Sequence, residues 1–409
     1  FMGSSHVSSL ARVPKLNLSL IKRELKSPAS LVHMKKAPRI LFFVTEDWVF
    51  WSHRLSLAKA AKKDGYEVQV VTRVHEHKDL IEKEGFKLIP LNMGRGSTNL
   101  LRELFTIIEV IKIYRREKPD LVHHVAVKPV LYGTLAARFS LRPAVINLLT
   151  GFTRTFHKIK WKSALIEKTV MLAYRLAYWG MNPVTVFQNQ SDMQIFLDHK
   201  ILKRKNAEII KGSGVDTQHF FERLEPEGKP VVVLASRMLW EKGIKEFVEA
   251  AEWLHRNDVE CRMVLVGDAD LESPKSVPPE ILDEWNSKGI VEWWGHEDNM
   301  PKVFSKANIV CLPSYHEGAP KVLLEAASSG IAIVATDIPG CGQIARQDEN
   351  GLLVPVKDSI KLAEAIKFLV ENPKTRKEMG ARGRKLVLEE FSDKIIIKKY
   401  LSLYKRVVG

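Results

Sequence analysis

The chain has 409 residues, 45% of them apolar and 27% charged, which is more than one hydrophobic core ordinarily serves, so two globular domains are expected. The formal net charge of +15 is uneven: residues 1–210 hold 35 Lys+Arg against 17 Asp+Glu, and the remainder 28 against 31. Three cysteines without metal-ligand spacing argue against a disulfide framework or a zinc site and fit a reducing cytosol, and no apolar stretch reaches the roughly 20 residues of a membrane span.

Residues 1–33 begin FMGSSHVSS, which reads as a tag or linker, with Met34 as a native start. RILFFVT at 39–45 is the nearly continuous apolar run of a strand covered on both faces. A loop is expected at 46–53, then a helix at 55–63, strands at 67–72 and 86–91, and a long helix at 101–116. Strands interleaved with helices predict right-handed crossovers and a doubly wound parallel sheet, with ligands beyond the carboxyl ends of the strands. The first connection, TEDWVFWSHR, lacks a G-x-G-x-x-G turn, which removes the best warrant for an NAD-binding domain. Trp48 and Trp51 in it either cover a ligand's ring or simply pack.

DLVHHVAV at 120–127 reads as a strand with His123 and His124 near its carboxyl end. Neighbouring strand residues face opposite ways, so at most one of the two points into a crevice, and a structural histidine is the competing reading. From 121 to 166 there is no acidic residue, whereas Lys128, Arg138, Arg142, Arg154, Lys158, Lys160 and Lys162 are basic. Such a field favours an anionic partner, a phospholipid surface or a nucleic acid. No RRM, KH, zinc-finger or helix-turn-helix signature supports the nucleic acid. The helix expected at 161–179 mixes basic with apolar residues, as either an interfacial helix or a core-packed one does.

After a linker rich in Glu, Gly and Pro, PVVVLAS near residue 229 opens a second domain. Arg237 and Lys242 follow this strand and precede a helix at 244–254, a position where cations can neutralise a bound anion; alone, they would be surface residues. The strand at 262–266 is followed by GDADLES, whose D-x-D invites a metal-site reading but lies in a long proline-containing loop. The least ordinary stretch is PSYHEGAPKVLLEAASSG at 313–330, preceded by a buried strand at 309–312. Pro320 fits a first helical turn and Gly330 a stop, and the loop with its unpaired amides favours an anion. Glu317 lies in that loop, while Glu325 and Lys321 share one helical face and could be no more than a solvated pair. Strands at 331–336 and 352–356 complete the second sheet.

Glu317, seven residues, then Glu325, with Gly318, Ala319 and Pro320 between, resembles the donor-site signature of the retaining glycosyltransferases of GT-B fold, and SRMLWEKG at 236–243 strengthens the likeness. The resemblance runs from about Arg39 to the C-terminus. It implies two Rossmann-like domains facing across a cleft, an acceptor-binding one at 34–210 and a nucleotide-sugar-binding one at 211–390, with a helix at 391–409 packing back on the first. It further implies that Arg237 and Lys242 stabilise the leaving diphosphate, that Glu317 with Gly318, Ala319, Pro320, Lys321 and Val322 holds the donor sugar and phosphates, and that Glu325 binds the ribose. His123 would be directed at the reacting sugar, Gly214 of KGSGVD would pass close to the donor, and the backbone at Trp294 would receive the base. No metal and no cofactor beyond the nucleotide sugar is expected.

The chain departs from the family in lacking glycines after the first strand and in placing Thr153 and Arg154 where a second glycine and a tyrosine are usual. Within the family it most resembles bacterial enzymes that extend a sugar on a diphospho-undecaprenol carrier. That implies a UDP-linked hexose or N-acetylhexosamine donor, a polyprenyl-diphosphate-linked saccharide acceptor, and a cytoplasmic protein bound peripherally to the anionic inner face of the cytoplasmic membrane. The alternatives are a UDP-sugar epimerase of similar fold, which should lack the paired Glu, and a basic nucleic-acid-binding protein.

Overall fold

Two parallel sheets organise the chain, and each strand of their centres is buried on both faces. The computed structural model describes residues 37–94, 100–150, 163–271 and 273–409. The first sheet has the order β3-β2-β1-β4-β5-β6-β7, with β1 Arg39–Glu46, β2 Glu67–Arg73, β3 Lys87–Pro90, β4 Leu121–Val125, β5 Ala144–Leu149, β6 Val184–Phe187 and β7 Ala207–Ile209. Along β1, Ile40, Phe42 and Val44 enter one hydrophobic cluster while Leu41 and Phe43 enter another, which is why the strand reads as an unbroken apolar run. The second sheet has the order β10-β9-β8-β11-β12-β13, with β8 Val231–Ala235, β9 Arg262–Val266, β10 Glu292–Trp293, β11 Ile309–Leu312, β12 Ala332–Thr336 and β13 Gly351–Val354. Every pairing between these strands is parallel. The expected fold class, two doubly wound α/β sheets, is the one observed.

The direction of winding reverses between β1 and β4 in one sheet and between β8 and β11 in the other. Connections leaving neighbouring strands part at such a point and open a crevice, so these positions name the segments that can form a site: those after β1 and β4, and those after β8 and β11. The chain passes from one sheet to the other after β7 and returns near residue 392. There the Val215 amide donates to Phe391 and the Asp393 amide donates to Val215. The last helix, Asp393–Val408, then inserts Ile396, Tyr400, Leu403 and Tyr404 into the hydrophobic cluster of β1.

The segment at 46–53, expected as a loop, is instead the end of β1 followed by a helix, Asp47–His53. The Asp47 carboxylate is fully buried and accepts the amides of Trp48, His75 and His77 at 2.6 to 3.0 Å. An acid at the first turn complements the helix dipole, and the two later amides come from the loop after β2, a contact no local pattern reveals. The basic residues at 151–162, Arg154, Lys158, Lys160 and Lys162 among them, and the segment 1–33 lie outside the described residues.

Candidate active site

The loop between β11 and the helix Lys321–Ser328 carries Glu317, and the 3-10 turn Trp240–Lys242 after β8 carries Lys242. Both strands lie side by side in the sheet, so the loops leaving them meet: Lys242 Nζ stands 2.5 Å from Glu317 Oε1, and the Tyr315 amide donates to the Glu241 carbonyl. Two glycines permit the approach. Gly243 has φ +77° and a Cβ there would lie 2.2 Å from the Pro313 carbonyl oxygen, while a Cβ on Gly340 would lie 2.2 Å from that of Glu317. Glu317 and Gly318 thus rest on the short helix Pro339–Gly342 that follows β12.

Arg237, also after β8, is exposed and pairs with Asp270 at 2.5 Å. Asp270 of the D-x-D is thus engaged by a cation of the neighbouring loop. Glu325 is 6% exposed and pairs with Lys321 at 3.1 Å, so the solvated-pair reading does not hold for the carboxylate. Burial raises its pKa, against the opposing pull of Lys321. Trp294 donates its amide to Leu265 and its indole N–H to Glu292, leaving its backbone at the edge of this sheet beside β9.

The first domain contributes a face that sequence reasoning missed. Trp48, on the helix Asp47–His53, lies under the Arg237 guanidinium at 5.7 Å, and His53 at the end of that helix feels the charge of Lys321. The His53 pKa is lowered to about 3, first by burial, then by Arg54 and Lys321. Asp47–His53 therefore forms a wall of the cleft opposite the second domain. Its one sequence signal was the Trp48 and Trp51 pair at a strand end.

His123 and His124 are both fully buried. His124 bonds Tyr114 and Asn147 at 2.9 and 2.7 Å and belongs to a polar core network with Thr134 and Tyr178. His123 Nδ1 meets the Tyr404 hydroxyl at 2.6 Å, and its Nε2 has no partner; burial, then Arg54, hold its pKa well below the usual value. The structure therefore places His123 behind the cleft wall, against the C-terminal helix. Gly214 likewise faces that helix, with a Cβ position 2.8 Å from the Asp393 Cα, and it is at Gly212, φ +71°, that a Cβ would lie 3.4 Å from the Ala319 side chain. Gly318, Ala319, Pro320, Lys321 and Val322 lie together as the loop and first turn beside Glu317 and Lys242.

A family model described as "Glycosyl transferases group 1" matches residues 215–386, and one described as "Glycosyl transferase 4-like" matches residues 39–187. The chain is 28% identical over 368 residues to the N,N'-diacetylbacillosaminyl-diphospho-undecaprenol alpha-1,3-N-acetylgalactosaminyltransferase of Campylobacter jejuni, covering 87% of this chain and 95% of that enzyme. It is 23% identical over 322 residues to the UDP-Gal:alpha-D-GlcNAc-diphosphoundecaprenol alpha-1,3-galactosyltransferase of Escherichia coli, covering 75% and 80%. Among solved structures, the Anabaena protein Alr3699/HepE in complex with UDP superposes with a TM-score of 0.70 at 17% identity, over 90% of this chain and all of that one. With a glycosyltransferase domain on each sheet, the 4-like one on the first and the group 1 one on the second, and Glu317 paired with Lys242 where loops of the second sheet meet, the chain is a glycosyltransferase of GT-B fold.

Proposed function

We propose that this glycosyltransferase moves a hexose or N-acetylhexosamine from a UDP-sugar to a polyprenyl-diphosphate-linked saccharide, with retention of anomeric configuration and without a metal. The observation that carries the donor half is the meeting of Lys242 and Glu317 at 2.5 Å between two strand ends, with Arg237 on the same segment after β8 as Lys242 and Glu325 one helical turn beyond Lys321. On this reading Arg237 and Lys242 neutralise the leaving diphosphate and the first-turn amides after Pro320 share the charge, an electrostatic role that asks for no cation. Glu317 holds sugar hydroxyls and Glu325 the ribose. The departing phosphate takes the acceptor's proton, so the new bond forms on the face from which the nucleotide leaves.

The acceptor half is supported by the relatives from Campylobacter jejuni and Escherichia coli, whose names both specify diphospho-undecaprenol-linked saccharides. The excess of positive charge at 1–210 and the exposed Leu104, Phe105, Leu172, Leu176 and Trp179, on or just after two first-domain helices, suit peripheral docking at the anionic cytoplasmic face of a membrane, where such an acceptor is held. The test is a screen of nucleotide sugars against a diphospho-undecaprenol-linked N-acetylhexosamine, following nucleotide release, with and without excess EDTA, and assigning the product anomer by NMR. Transfer with retention that survives EDTA is expected. An inverted product, or activity abolished by EDTA and restored by manganese, overturns the mechanism, and the latter would return Asp268 and Asp270 to consideration.

A further inference from the structure

Of the two cations after β8, Arg237 is the more open: 42% of its side chain is exposed, against 17% for Lys242. A long side chain so exposed wanders among rotamers unless something holds it. Two residues do. Arg237 Nη1 donates to Asp270 Oδ2 at 2.5 Å, and its Cζ lies over the Trp48 ring at 5.7 Å. Both holders are themselves fixed. Trp48 belongs to the helix that the buried Asp47 carboxylate pins to the loop after β2. Asp270 sits on the loop after β9, which is laced to the segment after β8 by backbone bonds of 2.8 to 3.0 Å: the Met238 amide donates to Asp268, that of Trp240 to Lys275 and that of Val277 to Met238. The Asp270 amide donates to Ser276 Oγ at 2.9 Å, and Lys275 pairs with Glu241 at 2.9 Å.

An acid beside an anion site needs a reason. The Asp270 side chain is 12% exposed, and a shielded carboxylate next to Arg237 repels a diphosphate bound there. By charge alone Asp270 works against the donor; what it supplies is direction. A guanidinium is a planar fork of N–H donors, and Asp270 engages one nitrogen of it, while Nε and Nη2 have no hydrogen-bond partner among the described residues. With one nitrogen tied to Asp270 and the central carbon resting over Trp48, the remaining donors keep a fixed heading. We infer that Asp270 and Trp48 are positioning residues that aim the free donors of Arg237 at the donor's diphosphate, so that the cleft wall of the first domain helps to build the donor site of the second. This rests on the proposed donor reading, in which Arg237 neutralises the leaving diphosphate. It also gives the second Asp of the D-x-D a role that runs through a cation of the chain itself.

The experiment titrates UDP, inorganic pyrophosphate and uridine separately into wild type, Asp270→Ala, Asp270→Asn, Trp48→Leu, Arg237→Ala and the double variant of Arg237→Ala with Asp270→Ala. Asp270→Ala should weaken UDP and pyrophosphate about fivefold and leave uridine, which has no phosphate, unchanged. Asp270→Asn, which keeps a carbonyl acceptor for the guanidinium, should recover part of that loss. Trp48→Leu should weaken both anions about threefold. Arg237→Ala should weaken them about tenfold, and adding Asp270→Ala should weaken them no further, because Asp270 acts through Arg237. Tighter UDP binding in Asp270→Ala would show that the acid only opposes the diphosphate and would overturn the inference. An equal loss of UDP and uridine, or the same loss in the Arg237→Ala background, would overturn it too, since either makes Asp270 a support of its loop alone. Unchanged affinities in Asp270→Ala beside a loss in Arg237→Ala would overturn the inference and leave the donor reading standing. Unchanged affinities in Trp48→Leu would overturn the first domain's share. If Arg237→Ala bound both anions as wild type does, the donor reading of Arg237 would fall and the inference with it. If wild type bound UDP no better than pyrophosphate, the uridine nucleotide would fall, while an Asp270-dependent pyrophosphate affinity still upheld the positioning.

Discussion

Lys242 and Glu317 are both largely shielded and stand within a hydrogen bond of each other, so the ammonium is held in place before any substrate arrives. One preorganised charge at a developing phosphate is worth about 3 kcal/mol, and Lys242→Ala should lower kcat about a hundredfold, measured as nucleotide release at saturating donor. A turnover number within twofold of wild type would remove Lys242 from the leaving-group site. Glu325 invites a different measurement. Its carboxyl has an ordinary pKa of 4.5, raised in the fold chiefly by burial. A group whose pKa rises on folding contributes stability that is present below the unfolded value and lost as the pH climbs through the folded one. Glu325→Gln should therefore melt progressively higher relative to wild type between pH 4.5 and pH 7.5, while losing about tenfold in UDP affinity, because a hydrogen bond from ribose to a charged acceptor is worth about 1.5 kcal/mol or more. Parallel melting differences at the two pH values would contradict the buried-carboxylate argument.

At the scale of elements, the donor loop owes its shape to the short helix behind it. Gly340 leaves no room for a side chain against the Glu317 carbonyl, so Gly340→Ala must push the 317–319 loop away from Lys242. Overpacking of this kind costs about 1 to 3 kcal/mol, and the displaced glutamate should raise the donor KM at least tenfold, more than it lowers kcat. An unaltered KM in steady-state assays would mean the loop adapts without consequence for the donor. On the other side of the cleft, the helix Asp47–His53 is held by the buried Asp47 carboxylate, which binds amides at 75 and 77 that are near it only in the folded sheet. That is why the 46–53 segment looked like a loop: seven residues are too few to display a helical period, and the capping partners are distant in sequence.

The whole molecule has its positive charge in the first domain, and exposed apolar side chains lie there as well, with Phe105 69% and Trp179 70% exposed. The helix Val127–Arg138 packs against both Leu100–Glu117 and Ser163–Tyr178, and Arg138 lies over both Phe139 and Trp179. Each Lys or Arg near an anionic surface contributes about 1 kcal/mol, so a few acting with these apolar side chains suffice for peripheral binding. Cosedimentation should rise with the anionic lipid fraction of the vesicles, fall at high salt, and fall further in a Phe105→Asp, Trp179→Asp variant. Equal binding to neutral vesicles, or none lost in the variant, would assign these surfaces another partner.

The amino-acid sequence alone determined the two doubly wound sheets and which segments follow their central strands, Arg237 and Lys242 after one and Glu317 and Glu325 after the next, because buried parallel strands write continuous apolar runs and a strand-loop-helix unit keeps its residues within a dozen positions. What it could not contain was the side-chain environment. His123 stands at a strand's carboxyl end in any reading, but its burial against Tyr404 depends on a helix 281 residues away in sequence. Gly212 rather than Gly214 stands beside the donor loop, Asp270 is claimed by Arg237, and Arg54 is enclosed against Tyr400 of the last helix. Each of these is decided where the chain crosses between sheets or the last helix returns, and a residue's sequence neighbours carry no record of what is packed against it from such a distance.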